Sequence, residues 1–223
     1  MLAGIAFGLL GRLRIEGAEN LPKDGPFLLV GNHFHYADPV ALMWLCRRQV
    51  EFIGGAQFVF APKTVHFLPS VWGYLPAHRG GYSRSTLKGA LSILKQGGIL
   101  ALFPEGGVWA QVLRPARPGV AFLAVESGVP VVPVGLDGFT SLFKVWRPEL
   151  TIRVGKPVGP FKIEANGENR RQQLAAIGRD VMRAIAELIP EERRGIFSHD
   201  PKLREEAKKV AAFPFEDQSM RGM

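Results

Sequence analysis

Along the 223 residues, short apolar runs bounded by turn residues alternate with segments whose apolar positions recur every three or four residues. Runs of the first kind predict buried strands, and the three-four spacing predicts helices with one packed face. Strands are expected at 27–30, 99–103, 131–134 and 150–154, with a shorter one at 51–53. Helices are expected over 39–48, over 85–96 before the Gly97-Gly98 stop, and over 120–127 before Gly128. A further helix over 171–189 carries Leu174, Ile177, Val181, Ile185 and Leu188 as one stripe and ends at Pro190. This alternation predicts a single α/β domain with a mostly parallel central sheet flanked by helices. Pro133, inside the third run, predicts a sheet edge or an interrupted ladder there.

Both ends of the chain depart from the pattern. Residues 1–14, MLAGIAFGLLGRLR, read as a short apolar N-terminal helix whose apolar part is about half the length a membrane-spanning helix needs. Arg12 and Arg14 follow the apolar part, whereas a secretory signal places its positive charge first. The segment is expected either to pack on the domain or to lie in a membrane interface. The α/β domain is assigned to 15–190, and 191–223 to a charged, solvated tail with one loose helix near 203–212.

Composition narrows the partners. With 47% hydrophobic and 22% charged residues and a mean hydropathy of +0.07, the chain is neither disordered nor a polytopic membrane protein. Its net charge of +8 and pI near 9.9 predict an anionic partner: nucleic acid, an anionic membrane surface or a phosphorylated substrate. The cationic residues are scattered, without the basic stripe and interleaved aromatics of a nucleic-acid-binding module. The lone Cys46 has no internal disulfide partner, which predicts a reducing compartment, and its expected place in mid-helix makes it a poor nucleophile.

The densest polar cluster, Gly31-Asn32-His33-Phe34-His35-Tyr36-Ala37-Asp38-Pro39, follows the first predicted strand and opens a helix, the position where α/β proteins place their sites. On one continuous helix His33 and Asp38 would point some 140° apart. If Asp38 caps a helix that starts at Pro39, His33 lies in the preceding loop and its imidazole can fold back onto the Asp38 carboxylate. That arrangement fixes the tautomer and raises the basicity of a general base.

The cluster resembles the first block of the glycerolipid acyltransferases of the bacterial 1-acylglycerol-3-phosphate (lysophosphatidic acid) acyltransferase type, Asn-His followed by four residues and Asp. Three further blocks follow in that family's order: Gly73-Tyr74-Leu75-Pro76-Ala77-His78-Arg79, Phe103-Pro104-Glu105-Gly106, and Val129-Pro130-Val131-Val132-Pro133-Val134. The resemblance runs from about residue 13 to about residue 158. It implies an O-acyltransferase that moves a fatty acyl group from an acyl thioester, acyl-CoA or acyl carrier protein, to the free hydroxyl of a lysophospholipid, most simply 1-acylglycerol-3-phosphate, in phospholipid biosynthesis. A different lysolipid or glycerol-3-phosphate is the alternative acceptor.

By the same resemblance His33 is the base, Asp38 its orienting partner and Arg79 a phosphate clamp, with no metal or nucleotide cofactor. Asn32 is expected to hold the loop or to donate to the oxyanion. Glu105, at the end of a buried strand, needs hydroxyls, backbone amides or a basic side chain as partners, and it is grouped with Gly106 and Gly107 at the acceptor site. The family continues Glu-Gly with Thr-Arg-Ser, and here Gly107-Val108-Trp109 follows. Either Arg114 or Arg117 supplies the missing charge, or the acceptor head group differs. His35 stands where the family commonly has serine. His33-x-His35-x2-Asp38 is a faint echo of a metallo-hydrolase, but His66, His78 and His199 stand in no ligand pattern. The aromatic stretch from Phe58 to Tyr82 is expected to form a core wall, an acyl-chain groove, or both. Together these features predict a peripheral or monotopic enzyme at the cytoplasmic face of the membrane, and no nucleic-acid partner.

Overall fold

The computed structural model describes residues 7–46, 48–55, 74–77, 84–108, 110–164 and 167–211. It holds one seven-stranded sheet with β1 (Arg12–Glu16), β2 (Phe27–Gly31), β3 (Val50–Gly55), β4 (Tyr74–Ala77), β5 (Ile99–Leu102), β6 (Val131–Asp137) and β7 (Glu149–Val154) in the order β1-β7-β6-β2-β5-β3-β4. Every neighbouring pair is parallel except β6 with β7. The helices are α1 (Asp38–Leu45), α2 (Arg84–Lys95), α3 (Gly119–Ser127), α4 (Gly167–Ala186) and α5 (Pro201–Ala211), and residues 7–10 form a short helical turn ahead of β1. The expected α/β class is the observed one.

β2 and β5 carry no polar side chain because both faces of the sheet are covered there. On one face Leu28, Val30, Leu100 and Leu102 meet Ala90 and Leu94 of α2, Leu123 of α3 and Val181 of α4. On the other, Phe27, Leu29, Ile99 and Ala101 meet Leu42 and Leu45 of α1, together with Phe7 and Phe139. The stripe expected over 171–189 is present, with Ile177, Val181 and Ile185 buried.

Several expectations are corrected. The Arg-Leu-Arg-Ile-Glu run is an edge strand, so the boundary drawn after Arg14 falls inside β1; its period-two alternation and flanking charges suit an edge. β4 was not expected, since it lies within the aromatic stretch. The first long helix stops at Leu45, and Cys46 is an extended C-cap residue instead of a mid-helix one. Pro133 sits on an interior strand between β2 and β7. Its missing donor falls on the β7 side, where the ladder is interrupted between Val134↔Val154 and the isolated Val131↔Val158 bridge, so the expected interruption is there and the edge is not. Residues 191–211 contain the expected helix as α5, largely exposed, and are tied to the domain at a few points. Leu113 N–H donates to the Arg193 carbonyl at 2.8 Å, Ala207 of α5 is buried, and Arg204 donates to the carbonyls of Ser198 and His199.

Candidate active site

The parallel strands β2 and β5 end at the same edge of the sheet, and the chain beyond each contributes to one cluster. After Gly31 the main chain leaves β2, yet Asn32 prolongs the pairing with its side chain: its Nδ2 donates to the Leu136 carbonyl at 2.8 Å and its Oδ1 accepts the Leu136 N–H at 2.7 Å. Asn32 is fully buried, and this two-way bond to β6 anchors the start of the loop. The loop-holding alternative is therefore the one the geometry favours.

His33 comes next, and Asp38 closes the loop. His33 Nδ1 lies 3.1 Å from Asp38 Oδ2, and the same oxygen accepts the N–H groups of Phe34 at 2.8 Å and His35 at 2.7 Å. A carboxylate oxygen only accepts, so Nδ1 is the donor of this pair. The imidazole stacks on Phe103 with centroids 4.1 Å apart and is 16% exposed, while Asp38 is 1% exposed. Asp38 is not the helix cap that its place before Pro39 suggests. It is the first residue of α1, the cap position belongs to Ala37, and the carboxylate turns backwards to the loop amides, which compete for it better than the helix does. Asp38 Oδ1 is buried with no hydrogen-bond partner among the described residues.

Beneath the loop lies a buried ion pair. Glu105 Oε1 accepts the backbone N–H of His33 at 2.9 Å, and Oε2 accepts the Nε and backbone N–H of Arg114 at 3.0 and 3.2 Å. A further guanidinium N–H of Arg114 donates to the Gly107 carbonyl. Burial pushes the Glu105 carboxyl up and the Arg114 guanidinium down, and each charge offsets the shift of the other. Three donors on one carboxylate favour its ionised form. The partners left open in the sequence are thus a backbone amide and a basic side chain. Glu105 and Arg114, which the sequence grouped with the acceptor site, are buried together with Asn32 and bond to one another or to the main chain.

Gly106 and Arg117 lie nearer the surface. Gly106 adopts φ +79°, and a Cβ there would stand 3.2 Å from Arg117 Cγ, so the glycine lets the arginine stem lie across the turn. Arg117 N–H donates to the Pro104 carbonyl at 2.8 Å, which ties this half-exposed cation to the end of β5. Gly107 is also half-exposed. Arg79 lies outside the described residues, as does most of the aromatic stretch.

His35 had no assigned role in the sequence. Its Nδ1 accepts the Ala37 N–H at 3.3 Å, and burial pushes its pKa down, with Asp38 opposing and Lys144 and His33 adding to the shift. Its ring lies 4.0 Å from that of Tyr36, tilted by 36°. The Cys46 thiol is pushed up to about 11 by burial, which removes it as a nucleophile at neutral pH. Among the described residues no group of three or more His, Cys, Asp or Glu side chains converges to hold a metal ion.

A histidine held by a buried carboxylate at the carboxyl edge of a doubly covered sheet is an arrangement that transferases and hydrolases can use. Comparison with known proteins makes the class specific: the acyltransferase family model matches residues 12–137, from the first residue of β1 to the last of β6, and the chain belongs to that family. It is therefore an acyltransferase.

Among its relatives, the 1-acyl-sn-glycerol-3-phosphate acyltransferase of Bacillus subtilis is 26% identical over 159 residues, covering 69% of this chain and 77% of that protein. A chloroplastic 1-acyl-sn-glycerol-3-phosphate acyltransferase of Brassica napus is 32% identical over 171 residues, 72% of this chain but 49% of that longer protein. The fold is similar to the crystal structure of the 1-acyl-sn-glycerophosphate acyltransferase PlsC from Thermotoga maritima, with TM-score 0.58, 25% identity and coverage of 80% of this chain and 75% of the other.

Proposed function

We propose that the protein transfers a fatty acyl group from an acyl thioester to the free hydroxyl of 1-acylglycerol-3-phosphate, with His33 as general base and Asp38 as its orienting partner. The observation that carries this reading is the 3.1 Å contact of His33 Nδ1 with a nearly inaccessible Asp38 carboxylate, which leaves Nε2 as the ring nitrogen for the acceptor hydroxyl. The acceptor hydroxyl gives its proton to Nε2 as its oxygen bonds to the thioester carbonyl carbon. The imidazolium so formed is stabilised by Asp38. Collapse of the tetrahedral intermediate breaks the C–S bond, and the departing thiolate takes the proton back from His33. The thioester is already activated, so no acyl-enzyme and no cofactor enter the scheme.

Arg79 and Arg117 are assigned to the phosphate of the acceptor. The names of the relatives support that acceptor, and the donor is assigned to the class of acyl thioesters, acyl-CoA or acyl carrier protein. No helix among the described residues is long and apolar enough to cross a membrane, and attachment is assigned to the membrane surface on its cytoplasmic side.

The test is a panel of lysolipid acceptors and glycerol-3-phosphate with labelled acyl-CoA and acyl carrier protein, run with wild type and His33→Ala. Transfer to 1-acylglycerol-3-phosphate by the wild type, reduced by roughly 10²–10⁴ in the variant at an unchanged melting temperature, is expected. Retained turnover in His33→Ala removes the histidine from its role.

A further inference from the structure

The β6–β7 connection carries the most exposed aromatic side chain among the described residues. Trp146 is 89% exposed and Phe143 67%, with Val145 between them also exposed. Leu142, Phe139 and Pro148 are buried beneath, so the loop is anchored from below and offers its tip to the surroundings. Two residues of the tip, Phe143 and Arg147, hold left-handed backbone at φ 65° and 47°. Side-chain-bearing residues adopt that conformation at a cost and keep it where neighbouring structure dictates it. Here the amides of Lys144 and Val145 both donate to the Ser141 carbonyl at 3.1 Å.

A second apolar element adjoins the loop. Arg147 donates to the Gly8 carbonyl at 3.0 Å, joining the tip to the helical turn at 7–10, where Leu9 is 71% exposed and Leu10 is also exposed. Arg12 N–H, at the start of β1, donates to the Pro148 carbonyl at 2.8 Å. Topology places both elements at the edge that carries the candidate site. β6 runs parallel to β2 and ends where Asn32 bonds Leu136, and β7 and β1 both begin at that same edge. Lys144 lies within electrostatic reach of His35.

We propose that the 143–147 loop and the turn at 7–10 form one docking surface that seats on an anionic lipid bilayer and presents the His33 edge of the sheet to it. Charge complementarity selects this occupant. Lys144, Arg147 and Arg12 are exposed and interleave with the apolar side chains, and no acidic residue occurs from 7 to 15 or from 138 to 148. Aromatic and aliphatic side chains alternating with cations suit the headgroup boundary of an anionic leaflet, where each Lys or Arg adds to binding. The surface deepens the proposed function and rests on it only in that the substrates are lipids.

The experiment is sedimentation of the full chain with vesicles of equimolar phosphatidylglycerol and phosphatidylcholine, and with phosphatidylcholine alone. The Phe143→Ser/Trp146→Ser double variant is expected to partition about tenfold more weakly into the mixed vesicles. Lys144→Gln is expected to weaken partitioning about fivefold in the mixed vesicles only. Because these positions are exposed, the melting temperature should hold. Trp146→Phe supplies a milder check: it should still sediment yet lose the fluorescence quenching that brominated lipids produce in wild type. Unchanged sedimentation of the double variant, or equal binding to both vesicle types, overturns the proposal. So does a self-association, seen by analytical ultracentrifugation, that the double variant abolishes while vesicle binding persists. Sedimentation needs no turnover, so failure of wild-type acyl transfer alongside the expected partitioning brings down only the functional reading.

Discussion

Glu105 holds His33 by its main chain: Oε1 of the carboxylate accepts the His33 N–H at 2.9 Å, while Oε2 is engaged by Arg114. The residue that follows β5 thereby sets where the residue that follows β2 can place its imidazole. Removing one member of a buried ion pair leaves the other uncompensated, a loss of about 3–5 kcal/mol. Glu105→Gln and Arg114→Met are each expected to lower stability by that order. Turnover should fall with them as the His33 loop loosens. A double-mutant cycle read by urea denaturation should return a coupling energy above about 1 kcal/mol. Additive single losses would show that the pair acts as two independent buried groups.

Asp38 does two jobs with one oxygen. Oδ2 receives the Phe34 and His35 amides as well as the imidazole. Asp38→Asn retains an acceptor for these donors but removes the charge that stabilises an imidazolium. Turnover is expected to fall by roughly 10²–10⁴ while stability changes little. Asp38→Ala abandons both buried amides as well and should cost a further 1–3 kcal/mol or so. Measuring kcat and the melting temperature for both variants separates the electrostatic role from the structural one; equal stability losses would merge them.

The pairing of His33 with Asp38 was legible because it is local: five residues, a strand end and a helix-opening proline confine the geometry. The direction in which Asp38 spends its carboxylate was not, since a forward cap and a backward loop bond leave the same residues in the same order. Glu105 announced itself as a buried charge in need of a partner, but its choice of Arg114 depends on the chain path over 106–113 and on Arg193 bonding Leu113 from a distant segment. The core strands were plain because both their faces are apolar. β1 was missed because the apolar run ahead of it extends a helical reading into Arg12–Glu16, and edge strands carry little burial to mark them.

His35 gives the protein a pH dependence apart from catalysis. Burial holds its folded-state pKa below the ordinary value of 6.5, so the unfolded chain takes up the proton first as the pH falls. The contribution is therefore intact above about pH 6.5 and is lost on acidification below it. Replacing His35 with Gln, which cannot titrate, should flatten the stability profile between about pH 5 and 7. Urea midpoints at half-unit intervals across that range check this; parallel profiles for wild type and variant would assign the acid sensitivity elsewhere.

The segment after Pro190 buttresses the site through a single glycine. Gly195 adopts φ +56°, and a Cβ there would lie 2.1 Å from the Leu113 carbonyl oxygen, beside the residue that precedes Arg114. Gly128 has a similar φ of +64° as the C-cap of α3, but a Cβ at that position meets nothing within 4 Å. Alanine at 128 should cost only the backbone term, about 1 kcal/mol. At 195 the same substitution must also displace the 113–114 main chain, so Gly195→Ala is expected to cost more than about 2 kcal/mol and to lower the melting temperature by roughly 4–8 °C. Because the displaced strand of chain carries Arg114, and Arg114 fixes Glu105 under His33, turnover should fall in Gly195→Ala even at temperatures where the protein stays folded. Calorimetry and initial rates on the two alanine variants decide it: matched losses at 128 and 195 would mean that the C-terminal segment leaves the site alone.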